Sequence, residues 1–451
     1  MESDNLQASQ EILTCFICLG IFTDLVLTRC GHPFCRACLL LFSADTQIPI
    51  HCPLCRHPSK PNFRTAIPGK KLISIVRKER IKKYLSSEEH KCMTHKERKT
   101  IFCDENRVLL CQLCSKSQEH RGHRHCHIEE AVLKQMEKLL KQMESLLKKI
   151  QELQENLEAE KTMTDQWMDY VTLREEMIRT EYRKLYPSLD EEEAQHIECM
   201  KNQGNTNLEE LRKSEAMMVH KRSQLMKVYQ ELMTMSQKPY EVLQQGLDDL
   251  FRRCELVQLG MPQVMKPELS AHPNAGLTAR FSFFKVKIFF QNLIILNCKM
   301  SQFFDIRRFT SRPCHQNTSL DSAGSYRASW GAMDFTTGKH YWELDLKDCE
   351  HWAVGVCSNV WLSRSHKKIG SSGAFLLVCF KEGNHYSLFT TCPVSHHYIE
   401  KPTGRVGVFL DCEGGCMSFL DVAKSSLIHS YHPEAFSLRV RPFFSTVYTR
   451  S

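Results

Sequence analysis

Apolar residues recur at alternating steps of three and four through Met136, Leu139, Met143, Leu146, Ile150, Leu153 and Leu157. That spacing keeps them on one helical stripe and predicts a coiled-coil seam. Past Leu157 the stripe drifts through Met163, Trp167, Tyr170, Met177, Tyr182 and Leu185, a longer repeat that relaxes the supercoil. From Ile128 to Ser236 the chain is rich in Leu, Met, Glu, Lys and Gln, with two obvious breakers, Pro187 and Gly204. Wholly helical, this segment would extend roughly 160 Å, too long for one helix of a globular domain, so it reads as a rod. Pro187 lacks the backbone donor a helix interior needs and predicts a kink or break. A helical pattern over Pro239 to Glu255 is expected to fold back on the rod. Gly260, Pro262, Pro267 and Pro273 then mark a linker. From Gly276 onward, short runs of Phe, Val, Ile, Tyr and Trp punctuated by Gly, Asn and Ser predict an all-β domain.

The segment before the rod is different, because twelve of the 22 cysteines lie before residue 127 and most are paired across two residues. Met1 to Gln10 has no basic stretch followed by an apolar one. Phe281 to Leu296 is interrupted by Lys285, Lys287, Gln291 and Asn292 and falls short of the roughly 18 apolar residues of a membrane span. Both features point to a reducing, cytoplasmic setting, where paired cysteines read as metal ligands rather than disulfides. The length of 451 residues, at about 150 per folding unit, implies about three units. The chain is 42% apolar and 25% charged, which excludes a wholly disordered chain.

In the first module the candidate ligands are Cys15, Cys18, Cys30, His32, Cys35, Cys38, Cys52 and Cys55. Eight soft donors make two tetrahedral sites, and thiolate with imidazole suits Zn²⁺; four protein ligands per ion leave no open position, so these zincs are structural. The second module offers Cys92, His95, Cys103, Cys111, Cys114, His120 and His123. Between the modules, Pro68 to Leu85 carries seven Lys and Arg residues with Leu72, Ile75, Val76 and Tyr84 at helical spacing. Without interleaved base-stacking aromatics it reads as an amphipathic helix with solvated cations rather than as a nucleic-acid patch.

The first module resembles a RING finger, whose cross-brace would assign Cys15, Cys18, Cys35 and Cys38 to one zinc and Cys30, His32, Cys52 and Cys55 to the other. The second resembles a type 2 B-box, in which a place usually held by aspartate is here Asn106; one site of that module is complete, and the other is either weakened or drafts Asp104, His125, Cys126 or His127. His340-Tyr-Trp-Glu-Leu344, Trp352-Ala-Val-Gly-Val-Cys357, Leu410-Asp-Cys-Glu413 and Pro442-Phe-Phe444 resemble a PRY–SPRY domain, with Trp342, Glu343, Trp352 and Asp411 as scaffold residues. RING, B-box and coiled coil in this order resemble the tripartite motif family. The resemblance implies a RING-type E3 ubiquitin-protein ligase that forms no covalent ubiquitin intermediate on itself. Resemblance to flanking helices of related proteins also implies that the apolar face of Pro68 to Leu85 pairs with a second copy. Ile17 and Leu54 would meet a ubiquitin-conjugating enzyme as an exposed apolar pair, and Arg56 would bridge that enzyme and ubiquitin.

The fold class is multidomain: zinc-bound RING and B-box modules, a long α-helical coiled coil and a C-terminal all-β sandwich. The expected boundaries are 1–67 for the RING with its flank, 68–86 for the helical linker, 87–128 for the B-box, 129–256 for the coiled coil with its return helix, 257–275 for a linker and 276–451 for PRY–SPRY. The cofactor is Zn²⁺, two in the RING and one or two in the B-box. Expected partners are a conjugating enzyme with ubiquitin, a second copy through the rod in antiparallel arrangement, and a protein target of unknown identity on loops Gln302–Tyr326, Ser358–Ser372 and Thr391–Glu400. A non-catalytic scaffold of the same architecture is the alternative reading. A zinc-dependent nucleic-acid binder is the third, favoured only by a net charge of +8.

Overall fold

The computed structural model describes residues 14–22, 25–43, 50–59, 64–65, 91–184, 189–237, 246–274, 276–296, 326–347, 349–363, 373–382, 385–431 and 439–447. The expected helix over 68–86, Pro187, and most of the loops 302–326 and 358–372 lie outside them. The chain divides into two compact units, residues 1–162 with 213–264, and residues 163–212 with 265–451.

In the first unit, β1 (Leu25–Leu27) pairs antiparallel with β2 (Pro33–Cys35), which runs directly into α1 (Arg36–Ser43). Two further short pairs follow, β3 (Ile50–His51) with β4 (Pro58–Ser59), and β5 (Arg64–Thr65) with β1. Phe22, Val26, Phe34 and Leu39 form a small core among the cysteines. Beyond it, β6 (Ile101–Cys103) lies between β7 (Val108–Leu110) and β8 (His125–His127). β8 continues without a loop into α2 (Ile128–Arg183), and Phe102 packs against Ile128, Ala131 and Val132 on its first turns.

The seam residues Met136, Leu139, Met143, Leu146, Ile150, Leu153 and Leu157 are all buried. They are covered by the chain itself. α3 (Asp190–Ser236) returns antiparallel to α2, as Gln154 paired with Arg222 and Lys161 with Glu215 record. Met218, Leu225, Tyr229 and Leu232 of α3 close the seam, joined by Leu247, Leu250 and Cys254 of α4 (Gly246–Gln258). The single rod of roughly 160 Å is therefore corrected to a hairpin of two arms. α2 ends at Arg183 and α3 starts at Asp190, on either side of Pro187, and the apolar stripe from Met136 to Leu157 packs against α3 and α4 of the same chain.

Also in this unit, the tip of α3 holds the first zinc module. The Gln237 side chain accepts the Ile21 N–H at 2.9 Å through Oε1 and donates Nε2 to the Ile21 carbonyl at 3.2 Å. Gly20 makes this approach possible, since a Cβ there would lie 2.4 Å from Gln237 Cδ. Met233 Sδ sits 3.8 Å from Cys38 Sγ.

In the second unit, the upper arms of α2 and α3 enclose Trp167, Tyr170, Ile178, Tyr182, Ile197, Met200 and Leu211. Gly204 does not break α3, contrary to the sequence reading. Its missing side chain admits Val171, 3.0 Å from where a Cβ would sit, and its carbonyl accepts Trp167 Nε1 at 2.8 Å. After the short α5 (Leu277–Ser282), the chain builds a sandwich from strands β9 (Phe290–Leu296), β10 (Tyr326–Gly331), β11 (Lys339–Asp345), β12 (Trp352–Ser358), β13 (Ala374–Glu382), β14 (His385–Thr390), β15 (Ser395–His397), β16 (Arg405–Asp411), β17 (Cys416–Asp421), β18 (Ser426–Tyr431) and β19 (Val440–Val447), with α6 (Asn359–Ser363) after β12. One sheet runs β15-β14-β13-β12-β19-β10-β9 and the other β11-β16-β17-β18. Trp342, Trp352, Val354, Leu377, Val408, Leu410 and Phe419 fill the space between them.

Gly355 sits at the centre of β12 with φ 148°, and a Cβ there would fall 2.2 Å from the Phe375 carbonyl oxygen. Arg174 of α2 is buried in this unit and donates to the carbonyls of Leu427 and Ile428 at the end of the smaller sheet. Desolvation lowers its pKa, and the two carbonyl dipoles offset the cost of a buried charge.

Candidate metal centres and the surface of the first module

Three turns of the same shape build the zinc modules. In Cys15–Leu19, Cys52–Arg56 and Cys92–Lys96, the fifth residue takes a left-handed φ of 55°, 57° and 55° and returns its N–H to the carbonyl of the first cysteine at 2.8, 2.8 and 2.9 Å. The turn aims two donor side chains, three apart in sequence, at one point. Positive φ in a residue other than glycine costs energy, which a metal ion gripping both donors offsets.

Among the described residues four groups of donors converge, each with all its ligand atoms within 4.8 Å of one another: Cys15, Cys18, Cys35 and Cys38; Cys30, His32, Cys52 and Cys55; Cys92, His95, Cys111 and Cys114; and Cys103, His120 and His123. All fifteen residues nominated from the sequence fall in these groups. Bonds of about 2.3 Å to sulfur and 2.0 Å to nitrogen in a tetrahedron put ligand atoms roughly 3.5–3.8 Å apart. The observed separations bracket that value. Cys30 and Cys52 Sγ lie 3.2 and 3.6 Å from His32 Nδ1, Cys92 and Cys111 Sγ lie 3.6 and 3.4 Å from His95 Nδ1, and Cys92 Sγ lies 3.7 Å from Cys114 Sγ.

Crowding moves the thiols of the Cys15 cluster in both directions. Hydrogen bonds from Cys18, Cys35 and Cys38 hold the Cys15 thiol far below its ordinary value, and the same crowding pushes Cys38 far up. Burial raises the Cys30 thiol, but hydrogen bonds from Thr28 and His32 outweigh it and bring the pKa down to about 5. Hydrogen bonding, led by the His95 backbone, draws Cys92 down to about 6. The donor types, thiol and imidazole four or three to a cluster, fit Zn²⁺. His120 Nδ1 and His125 Nε2 are both buried with no hydrogen-bond partner, and their ring centroids lie 6.4 Å apart.

The expected exposed pair on the first module is only half present. Leu54 is 44% exposed and Arg56 is exposed, but Ile17 is half-buried against the small core. Its neighbours Phe16 and Leu19 are 60% and 79% exposed, and the sequence reading did not nominate them. The cue was available in the turn itself, because the position after its second ligand points away from the metal.

The target loop Thr391–Glu400 is largely built into the sandwich. It contains β15, buries Thr391, His397 and Ile399, and packs Tyr398 edge-on against Tyr170 with ring centroids 5.0 Å apart. It is thus corrected from an exposed loop to part of the scaffold. Trp342 and Trp352 are buried between the sheets. Glu343 is bridged by Lys285 and Arg405, and Asp411 accepts the N–H of Gly414 at 2.8 Å. No helix among the described residues is long and apolar enough to cross a membrane.

Comparison with known proteins agrees with this geometry. The family model described as zinc finger, C3HC4 type (RING finger), matches residues 15–55, the B-box zinc finger model matches 87–128 and the SPRY domain model matches 339–451. Mouse tripartite motif-containing proteins 43C and 43B are each 54% identical over 452 residues, covering 100% of both chains. Human tripartite motif-containing protein 51 is 42% identical over 453 residues, covering 98% of this chain and 99% of its own. With zinc modules, helical arms and sandwich in the family's order and full-length identity at this level, the chain belongs to the tripartite motif-containing family.

Proposed function

We propose that the protein is a RING-type E3 ubiquitin-protein ligase. It positions a charged ubiquitin-conjugating enzyme, forms no covalent ubiquitin intermediate on itself and recruits a protein target through its sandwich, in the cytoplasm. The observation that carries this reading is the knuckle Cys52–Arg56. Two metal donors fix a turn that exposes Leu54, and its left-handed last residue, Arg56, is itself exposed and follows the ligand Cys55 directly. Leu54, Ile17 and the exposed Phe16 and Leu19 offer the enzyme an apolar face. Arg56 has a planar fork that can donate to carbonyls on enzyme and ubiquitin together, holding the thioester ready for attack. The RING cysteines are committed to metal, so the chemistry belongs to the bound thioester.

Dimerisation through the coil is part of the proposal. It would require α2 and α3 to open and exchange their seam with the arms of a second chain, since the seam residues are buried within one chain. A non-catalytic scaffold would keep the zinc sites and the coil but would not accelerate ubiquitin transfer. A nucleic-acid function has less support, since it is favoured only by the net charge of +8 and a charge total is not a binding surface.

Ubiquitin discharge from a panel of charged conjugating enzymes tests the ligase reading. Charge-assisted hydrogen bonds contribute about 1.5–3 kcal/mol, so Arg56→Ala should slow discharge about ten- to a hundredfold. Ile17→Ala should also slow it, and in both variants the zinc content should match wild type. Wild-type rates in both variants, with an enzyme shown to work on the unmodified chain, would leave the scaffold as the function.

A further inference from the structure

Three clusters hold four protein donors each, whereas Cys103, His120 and His123 form a group of three. A structural zinc takes four ligands, and the neighbourhood contains several residues that could complete the set. The carboxylates are paired with Arg124, although Glu105 Oε2 also comes within 4.0 Å of Cys103 Sγ. Glu105 accepts the Arg124 N–H at 2.8 Å and Nε at 3.2 Å, and Asp104 lies 3.6 Å from the same guanidinium. Asp104, Glu105, His125, Cys126 and His127 place no donor atom in the converging group. Asn106 does approach it, with Oδ1 3.8 Å from Cys103 Sγ, while His123 Nδ1 lies 3.4 Å from the same sulfur. Both distances suit two corners of one tetrahedron, whose edges are roughly 3.6 Å.

We propose that the Asn106 amide oxygen is the fourth ligand of this site, and that the site is the chain's weakly held zinc. Charge decides the ranking. Four thiolates bring four negative charges to the Cys15 cluster, and three thiolates bring three to each of the Cys30 and Cys92 clusters. One thiolate, two neutral imidazoles and a neutral amide bring a single negative charge here, so the bound dication stays incompletely neutralised. The weak site also occupies a joint. Cys103 ends β6, whose neighbour β8 runs into α2, and Phe102 packs on Ile128, Ala131 and Val132. Loss of this one ion therefore loosens the attachment of the module to the first turns of α2 while the Cys92 cluster keeps its metal.

Native mass spectrometry of the full-length protein under graded chelator tests this, with zinc as the probe and amide exchange at Phe102 and Ile128 as a second readout. The expected result is four zincs, one of which leaves at a chelator concentration about ten- to a hundredfold below the other three, together with faster exchange at Phe102 and Ile128. Asn106→Asp should move that loss to about tenfold higher chelator or more, Asn106→Ala should move it lower, and His125→Ala should leave it in place. Four zincs leaving together, an Asn106→Ala protein indistinguishable from wild type, or loss of the fourth zinc in His125→Ala would each overturn the assignment. If Asn106→Ala does not fold, the Asn106→Asp shift decides, because it retains an oxygen donor and adds the missing charge.

Discussion

Outside its metal donors, the first zinc module buries Ile21, Phe22, Leu25, Val26, Phe34, Ala37 and Leu39, whereas the sandwich closes over Trp342, Trp352, Trp361, Phe389, Phe419, Phe443 and a continuous run of aliphatic side chains. At about 25 cal/mol per Å² of apolar surface, a core as small as the module's cannot offset the entropy of ordering its own backbone, while the sandwich core can. One region is held by coordination bonds and the other by volume. Each should therefore fail by a different route.

The largest effect should follow removal of zinc. Structural sites in small zinc peptides contribute about 10–16 kcal/mol each, so strong chelation should abolish exchange protection in the RING and B-box while the amides of β12 stay protected. Hydrogen exchange read by mass spectrometry distinguishes the two regions in one experiment. A sandwich that unfolds in step with the modules would erase the contrast.

The converse change is a cavity in the sandwich. Trp352→Ala removes a side chain only 2% exposed and should cost about 3–5 kcal/mol, lowering the melting temperature of the sandwich. Zinc content by native mass spectrometry should not move. Zinc loss in this variant would mean that the modules borrow stability from the core.

The smallest effect sharpens the contrast within the first unit. Gly20→Ala places a methyl group against the Gln237 amide, which can swing away, so the cost should be about 1 kcal/mol, the worth of one or two hydrogen bonds. Zinc should remain bound, and the Ile21 amide should exchange faster. Unchanged protection of Ile21 would show that the module is held to α3 by something other than this amide.

The zinc clusters were the most legible part of the sequence, because ligand spacing along a short turn nearly determines which donors converge. The all-β character of the last third was legible for a similar local reason, short runs of Phe, Val, Ile, Tyr and Trp punctuated by Gly, Asn and Ser. The hairpin was not. The steps of three and four from Met136 to Leu157 specify a partner stripe but not whose, and nothing in them favours an arm of the same chain over that of another. Gly204 was misread because a glycine that breaks a helix and one that admits Val171 look alike in sequence. Gln237 and Arg174 left no pattern at all, since each acts through one side chain on backbone atoms distant in the chain, Ile21 in one case and Leu427 and Ile428 in the other. Asn106 was visible as a departure, but its position beside Cys103 Sγ required coordinates.

Gly355 also bears on inheritance. Every single-base missense change in a glycine codon adds a side chain, and here the first added carbon would meet the Phe375 carbonyl 2.2 Å away on the neighbouring strand. No rotamer relieves a clash at Cβ, and φ 148° is itself unfavourable for any other residue. Missense alleles of this codon thus converge on one phenotype, a chain whose sandwich cannot close but whose zinc-binding third is untouched. Under the proposed function, such a chain would fill a place in the dimer without bringing a target, so the allele would act dominantly.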